Sequence, residues 1–181
     1  MTKIFNNANS ARLEIVEEHV RRENAHDLQG IMATFGERAR YDDEPWDDHY
    51  EGRDAVYRYY KDMLAALPDL HIDIEHQFAA EEGVVLEVCI RGTHLGRWRG
   101  LPPTGRRVEF PLCGVFIFDE KGSLAGERIY YDRGGVLRQL GLYHDPQSLR
   151  GRLEMVLAHP LTIARAYGHK LRRSLLLNGL R

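Results

Sequence analysis

Leu67-Pro68-Asp69-Leu70-His71-Ile72-Asp73-Ile74-Glu75-His76-Gln77-Phe78 is the stretch in which the chain changes its period. Before Pro68, the apolar residues Val56, Tyr59, Tyr60, Met63, Leu64 and Leu67 recur at three- and four-residue spacing, which predicts a helix over Asp54–Leu67. Proline lacks the amide hydrogen a helix needs and ends it. Beyond Pro68 the period is two, which predicts a strand over His71–Phe78. Further strands follow over Val84–Thr93, Arg106–Phe118 and Leu124–Asp132, joined through AAEEG, GLPPTG and DEKG. Upstream, Leu13, Val16, Val20, Leu28, Ile31 and Phe35 predict one long helix over Ser10–Phe35, capped by Ser10. Between the helices, Asp42–Asp54 (DDEPWDDHYEGRD) carries seven carboxylates in thirteen residues and reads as a loop around Pro45 and Gly52. Helices followed by a run of antiparallel strands give an α+β domain with the helices on one sheet face.

Composition narrows the class. The 181 residues are 43% hydrophobic, enough for a core without metal or disulfide staples, and this excludes a disordered chain. The longest apolar run, Leu112–Phe118 counting Gly114, is too short to cross a bilayer, and the N-terminal residues lack the apolar stretch of a secretory signal. A cytoplasmic location is therefore expected. Cys89 and Cys113 are too few for a disulfide framework or a zinc site. The net charge of −2 conceals a division: residues 145–181 hold seven basic residues against two acidic ones, +5, which leaves −7 for residues 1–144. A last helix is predicted over Gly151–Leu177, kinked or split at Pro160.

One series of short motifs runs through the first part of the chain. It comprises His26-Asp27, Leu67-Pro68-Asp69-Leu70, Arg91-Gly92-Thr93-His94-Leu95-Gly96, Gly100-Leu101-Pro102-Pro103-Thr104-Gly105-Arg106, Tyr131-Asp132 and Leu137-Arg138-Gln139-Leu140-Gly141-Leu142. In that order and spacing it resembles the SnoaL-like polyketide cyclase family of the NTF2-like superfamily. The resemblance implies a cystatin-like cone, a curved sheet wrapped against the N-terminal helices around an apolar pocket. It covers about residues 11–142, which implies a SnoaL-like domain over residues 1–144, and residues 145–181 form a basic helical extension with no counterpart in the family pattern. The resemblance also implies that Asp132, at the end of the last strand, is the general acid or base. Asp43 or Asp42 resembles the catalytic aspartate of ketosteroid isomerase, a cousin in the superfamily.

The residues themselves suggest a compatible chemistry. A carboxylate at the mouth of an apolar pocket loses solvation, its pKa rises, and it shuttles protons near neutral pH, a role suited to Asp132; the same aspartate would also serve simply to cap the following turn. On its strand, Arg128, Tyr130 and Asp132 share one face, and Glu127, Ile129 and Tyr131 the other. His94 shares a strand face with Leu86, Val88 and Ile90, so it reaches the pocket if that face meets the helices, or else bonds a neighbouring strand. His94 or Tyr41 would hydrogen-bond a developing enolate, and Trp46, Tyr50, Tyr60 and Tyr130 would bind a ring. No metal cage, activated nucleophile, nucleotide loop or nucleic-acid reading head is evident.

The expected function is a cofactor-independent enzyme that moves protons on a hydrophobic, carbonyl-bearing small molecule, by aldol cyclisation or isomerisation. Dehydration and epoxide opening use similar groups, and a non-catalytic binding or assembly module is the rival. A homodimer is expected. The extension is expected to pack on protein, with an anionic membrane surface as the alternative.

Overall fold

Ser10–Phe35 is two helices rather than one. Helix α1 (Asn7–Asn24) ends because Asn24 and His26 turn their polar groups to the sheet. The Asn24 amide brackets the backbone of Ile72, donating to its carbonyl at 2.9 Å and accepting from its N–H at 2.7 Å. His26, in the left-handed region at φ 53°, gives its Nε2 hydrogen to the Leu70 carbonyl at 2.9 Å. Asp27 then caps α2 (Leu28–Thr34) by accepting from the Gly30 amide. Helical periodicity continues across this break because both pieces bury the same side, Val16 and Val20 from α1, Ile31 and Met32 from α2.

The structure is a computed structural model that describes residues 7–80, 82–166 and 168. The chain divides into one unit up to Leu140 and a second from Gly141. The first unit holds a six-stranded sheet of order β2-β1-β6-β5-β4-β3. Its strands are β1 (Phe35–Asp43), β2 (Asp48–Glu51), β3 (His71–Ala79), β4 (Gly83–Thr93), β5 (Arg107–Phe118) and β6 (Leu124–Tyr131). Helix α3 (Arg53–Ala66) and the short α4 (Arg133–Gln139) complete it. The acidic stretch expected to be a loop contains the end of β1, a 3-10 turn at Glu44–Trp46 and β2. Its carboxylates tolerate sheet structure because cations meet them: Arg40, His49 and Arg128 at Asp42, and Arg99 at Asp43 and Asp48. The expected all-antiparallel sheet is also corrected, since β1 lies parallel to β6, with Tyr41 beside Glu127 and Asp43 beside Ile129.

Alternation then sorts the strands. Leu86, Val88 and Ile90 of β4, Val108 and Phe116 of β5, and Glu127 and Ile129 of β6 are buried on the face that meets α1 and α3. Helix α3 contributes Val56, Tyr59, Tyr60 and Leu64, and burying each such side chain is worth about 1.5–3 kcal/mol. Several family-motif residues act as backbone pins. Asp69 accepts from the Thr93 amide and hydroxyl. Gln139 brackets the Glu109 backbone in both directions. Gly96 lies so close to the Ala65 carbonyl that no side chain fits.

In the second unit, Ser148 caps α5 (Leu149–Ala158), which stops at His159 because the residue before a proline is held out of helical geometry. Residues 160–166 are helical again, which agrees with the expected break at Pro160. Leu171, Leu175 and the basic residues Lys170, Arg172 and Arg173 lie outside the described residues. Leu149, Leu153, Leu157 and Leu161 are exposed.

Candidate active site

Between the helices and the concave sheet face of the first unit lies a pocket of about 830 Å3, counted out to the solvent at its mouth. Its wall is aliphatic and aromatic except for Glu23, Glu127 and His94 and the polar edges of Tyr59, Trp98 and Tyr131. Strand register sets where these stand. Glu127 pairs with Phe116 and Tyr131 with Leu112; four residues of strand separate Glu127 from Tyr131 by about 13 Å. Glu23 and Glu127 therefore mark one end, and His94, Trp98 and Tyr131 mark the other.

The Glu23 end is a closed electrostatic network. Thr34 gives its hydroxyl hydrogen to the Ile31 carbonyl at 2.7 Å, so His19 Nδ1, 2.7 Å from the same oxygen, must donate. Tyr60 gives its hydrogen to Glu127 Oε2 at 2.7 Å, so His19 Nε2, 3.0 Å from Tyr60, must donate too. Both ring nitrogens carry hydrogen, and His19 is an imidazolium. Burial alone would lower its pKa, but the charges of Glu23 and Glu127 outweigh that and raise it. Burial, reinforced by the Glu127 charge, pushes the Glu23 carboxyl up to about 8 despite His19. The end thus sets His19, with its pKa raised, beside Glu23, whose carboxyl titrates at about 8. His19, Glu23 and Glu127 also offer ligand atoms within 4.8 Å of one another, the spacing a metal ion would need.

The other end is built differently. His94 Nδ1 meets the Thr104 hydroxyl at 3.1 Å and the Thr104 amide at 3.4 Å. Burial lowers the His94 pKa and keeps the ring neutral. Asp43 is 1% exposed; burial raises its pKa, and the opposing effects of Arg99 and Tyr131 do not restore it. Trp46 donates to Tyr131 at 2.7 Å, and Tyr131 to Asp43 at 3.5 Å. Arg99 pairs with Asp43 and Asp48 and lies 5.0 Å from the Trp46 ring and 5.6 Å from Trp98.

The sequence profile of SnoaL-like polyketide cyclases matches residues 13–140. The chain belongs to this family. The fold expected from the motifs, an α+β cone of NTF2-like type, is the one observed. Among solved structures, this SnoaL-like chain is similar to AclR, a hydroxylase candidate from Streptomyces galilaeus. The two are 26% identical over 74% of this chain and 97% of AclR, at a TM-score of 0.63. SalBIII, described as an epoxide hydrolase/cyclase-like enzyme in pyran ring formation in the polyether salinomycin, is also 26% identical, over 70% of this chain and 94% of its own, at 0.60. A SnoaL-like polyketide cyclase candidate from Jannaschia sp. CCS1 shares the fold at 17% identity and a TM-score of 0.70, over 77% and 97% of the two chains. No curated protein matches the chain.

The structure distributes the predicted site residues of this SnoaL-like domain unevenly. His94 lines the pocket. Asp132 does not: its side chain is 68% exposed and paired with Arg138, and the nearby Gly135 amide, then Arg138, hold its carboxyl below the usual range. It stands beyond the pocket face because Glu127, Ile129 and Tyr131 are the inward set. Tyr130 is outward for the same reason. Tyr41 and Tyr60 are core residues, stacked or edge-on to Tyr59 and absent from the pocket wall. Trp46 and Asp43 join the His94 end through Tyr131, whereas Asp42 is engaged by Arg40 and His49. Tyr50 lines an adjoining groove with Tyr59, Met63, Trp98 and Arg99. Sequence reasoning missed Glu23, Glu127 and His19. The usable signal was a His and a Glu four apart on the buried side of α1.

Proposed function

We propose that this SnoaL-like protein is a cofactor-independent enzyme that moves protons on a hydrophobic, carbonyl-bearing small molecule. The observation that carries the reading is the pair of carboxyl groups, Glu23 and Glu127, buried together at one end of an otherwise apolar pocket. Glu127, as carboxylate, removes a proton from the carbon beside the carbonyl. Glu23, as acid, delivers its own proton to the carbonyl oxygen, so an enol forms and the pair exchanges protonation states. His19 holds the negative charge in place throughout. The enol then attacks a second carbonyl in an aldol-type cyclisation or is reprotonated elsewhere in an isomerisation. Epoxide opening draws on the same acid and is the second reading, favoured by the 26% identity to SalBIII. The reading includes a cytoplasmic homodimer whose 145–181 extension packs on protein.

The test compares Glu23→Gln and Asp132→Asn with the wild type on polycyclic ketones and epoxides. Glu23→Gln should lose turnover by about a hundredfold or more, and Asp132→Asn should retain it. Full activity in Glu23→Gln sinks the mechanism. Binding without turnover in the wild type leaves a carrier module instead.

A further inference from the structure

His19 and Glu23 stand four residues apart on α1, which places both on one face of the helix, and Glu127 meets them from β6. The three are 0%, 5% and 6% exposed. His19 Nε2 lies 3.7 Å from a Glu23 oxygen and 3.4 Å from Glu127 Oε2. Two donors bound at about 2.1 Å to one four-coordinate zinc ion are themselves separated by about 3.4 Å. Thr34 turns the ring the right way round. Its hydroxyl hydrogen goes to the Ile31 carbonyl, so Nδ1 keeps a hydrogen for Thr34 and Nε2 faces the carboxylates, the arrangement of a metal-binding histidine. Tyr60, donating to Glu127 Oε2 at 2.7 Å, orients that carboxylate. Among the described residues, no arginine or lysine lies within ion-pair distance of either glutamate, and His19 is the charge partner of both. Two buried carboxylates with one histidine between them are costly to keep charged. A divalent cation neutralises both.

We propose that His19, Glu23 and Glu127 form a zinc-binding site whose fourth coordination position faces the apolar pocket. Glu23 and Glu127 line the pocket wall and His19 stands behind them, so the ion enters from the pocket side. The donor set gives the class. Imidazole joined to carboxylates suits zinc, whereas calcium takes six or more oxygens and magnesium keeps several of its waters, for which a cluster this buried has no room. The ion takes the place of the hydrogen on Nε2, which leaves to solvent through the pocket, while Nδ1 keeps its own. The site goes beyond the proton-transfer reading and stands without it. Where that reading holds, zinc is an inhibitor, because both carboxylates become ligands and neither is free to exchange a proton.

The test titrates the full chain, stripped with a chelator and dialysed, with zinc alone in a calorimeter. Glu23→Gln, which keeps the shape of the side chain, should bind the ion about a hundredfold or more weakly than the wild type. His76→Ala is the surface control. It removes the exposed pair of His76 with Glu87, 3.1 Å apart, and should leave the tight site intact. Thr34→Val should weaken zinc binding about tenfold and Thr34→Ser should restore it, a pattern that binding at the surface would not give. Equal affinity in the wild type and Glu23→Gln overturns the proposal, as does loss of binding in His76→Ala, or magnesium binding as tightly as zinc. Should Glu23→Gln fail to fold, the Thr34 variants decide, and unchanged affinity in Thr34→Val overturns the site. Binding is read without turnover, so the two readings fail separately. Zinc uptake by a protein inert toward ketones and epoxides retires the enzyme and keeps the site, whereas turnover without zinc uptake does the reverse. Turnover undiminished by bound zinc keeps the site and removes Glu23 and Glu127 from proton transfer.

Discussion

Glu23 links acidity to folding. Its carboxyl titrates at about 8 in the folded protein against an ordinary 4.5. A raised folded pKa means stability that is complete below the ordinary value and is lost as pH climbs through the folded one. Between pH 4.5 and 8 the wild type should therefore weaken relative to Glu23→Gln by on the order of a few kcal/mol, read as diverging urea midpoints. Parallel midpoints across that range would show that Glu23 is not held as an acid. At this same scale the sequence was half legible. His94 could be placed because its neighbours Leu86, Val88 and Ile90 are plainly core. Asp132 and Tyr130 could not, because either face of Leu124–Tyr131 is plausible until Glu127 is known to have buried partners. A lone glutamate gives no sign of the His19 and Tyr60 that receive it, 108 and 67 residues away along the chain.

Elements were easier to read than their joints. The switch of period at Pro68 located α3, and four strands fall within a few residues of expectation, since apolar spacing follows directly from burial on one face. The joint at Asn24–Asp27 was hidden because α1 and α2 keep a common apolar side, and β1 and β2 were masked by carboxylates, two of whose cations, Arg99 and Arg128, come from distant segments. Asn24 supplies the two shorter side-chain hydrogen bonds of the α1–β3 seam, beside one from Gln77 to Glu17 at 3.2 Å. Asn24→Ala removes both hydrogen bonds to Ile72 and leaves a partly buried strand backbone unpaired, which should cost about 1–3 kcal/mol. The check is a urea midpoint lowered with an unchanged slope; an unchanged midpoint would assign the seam to packing alone.

For the whole molecule, the division of charge between residues 1–144 and 145–181 was readable from the sequence, but the purpose of the extension was not. The apolar residues of α5 point to the proposed association between copies. Leu153→Glu with Leu157→Glu should convert a dimer to a monomer in sedimentation velocity, and a wild type already sedimenting as a monomer, or a variant that remains dimeric, removes the extension from that role.

The parallel seam between β1 and β6 has a consequence for how the protein comes into being. Asp43 finds Tyr131, and Tyr60 finds Glu127, only after nearly the entire first unit has been made. A chain leaving the ribosome must carry Glu23, Asp43 and a half-finished sheet edge in water until the last strand is inserted between two older ones. Such non-local closure is slow, and during that interval the nascent protein most needs protection from its neighbours.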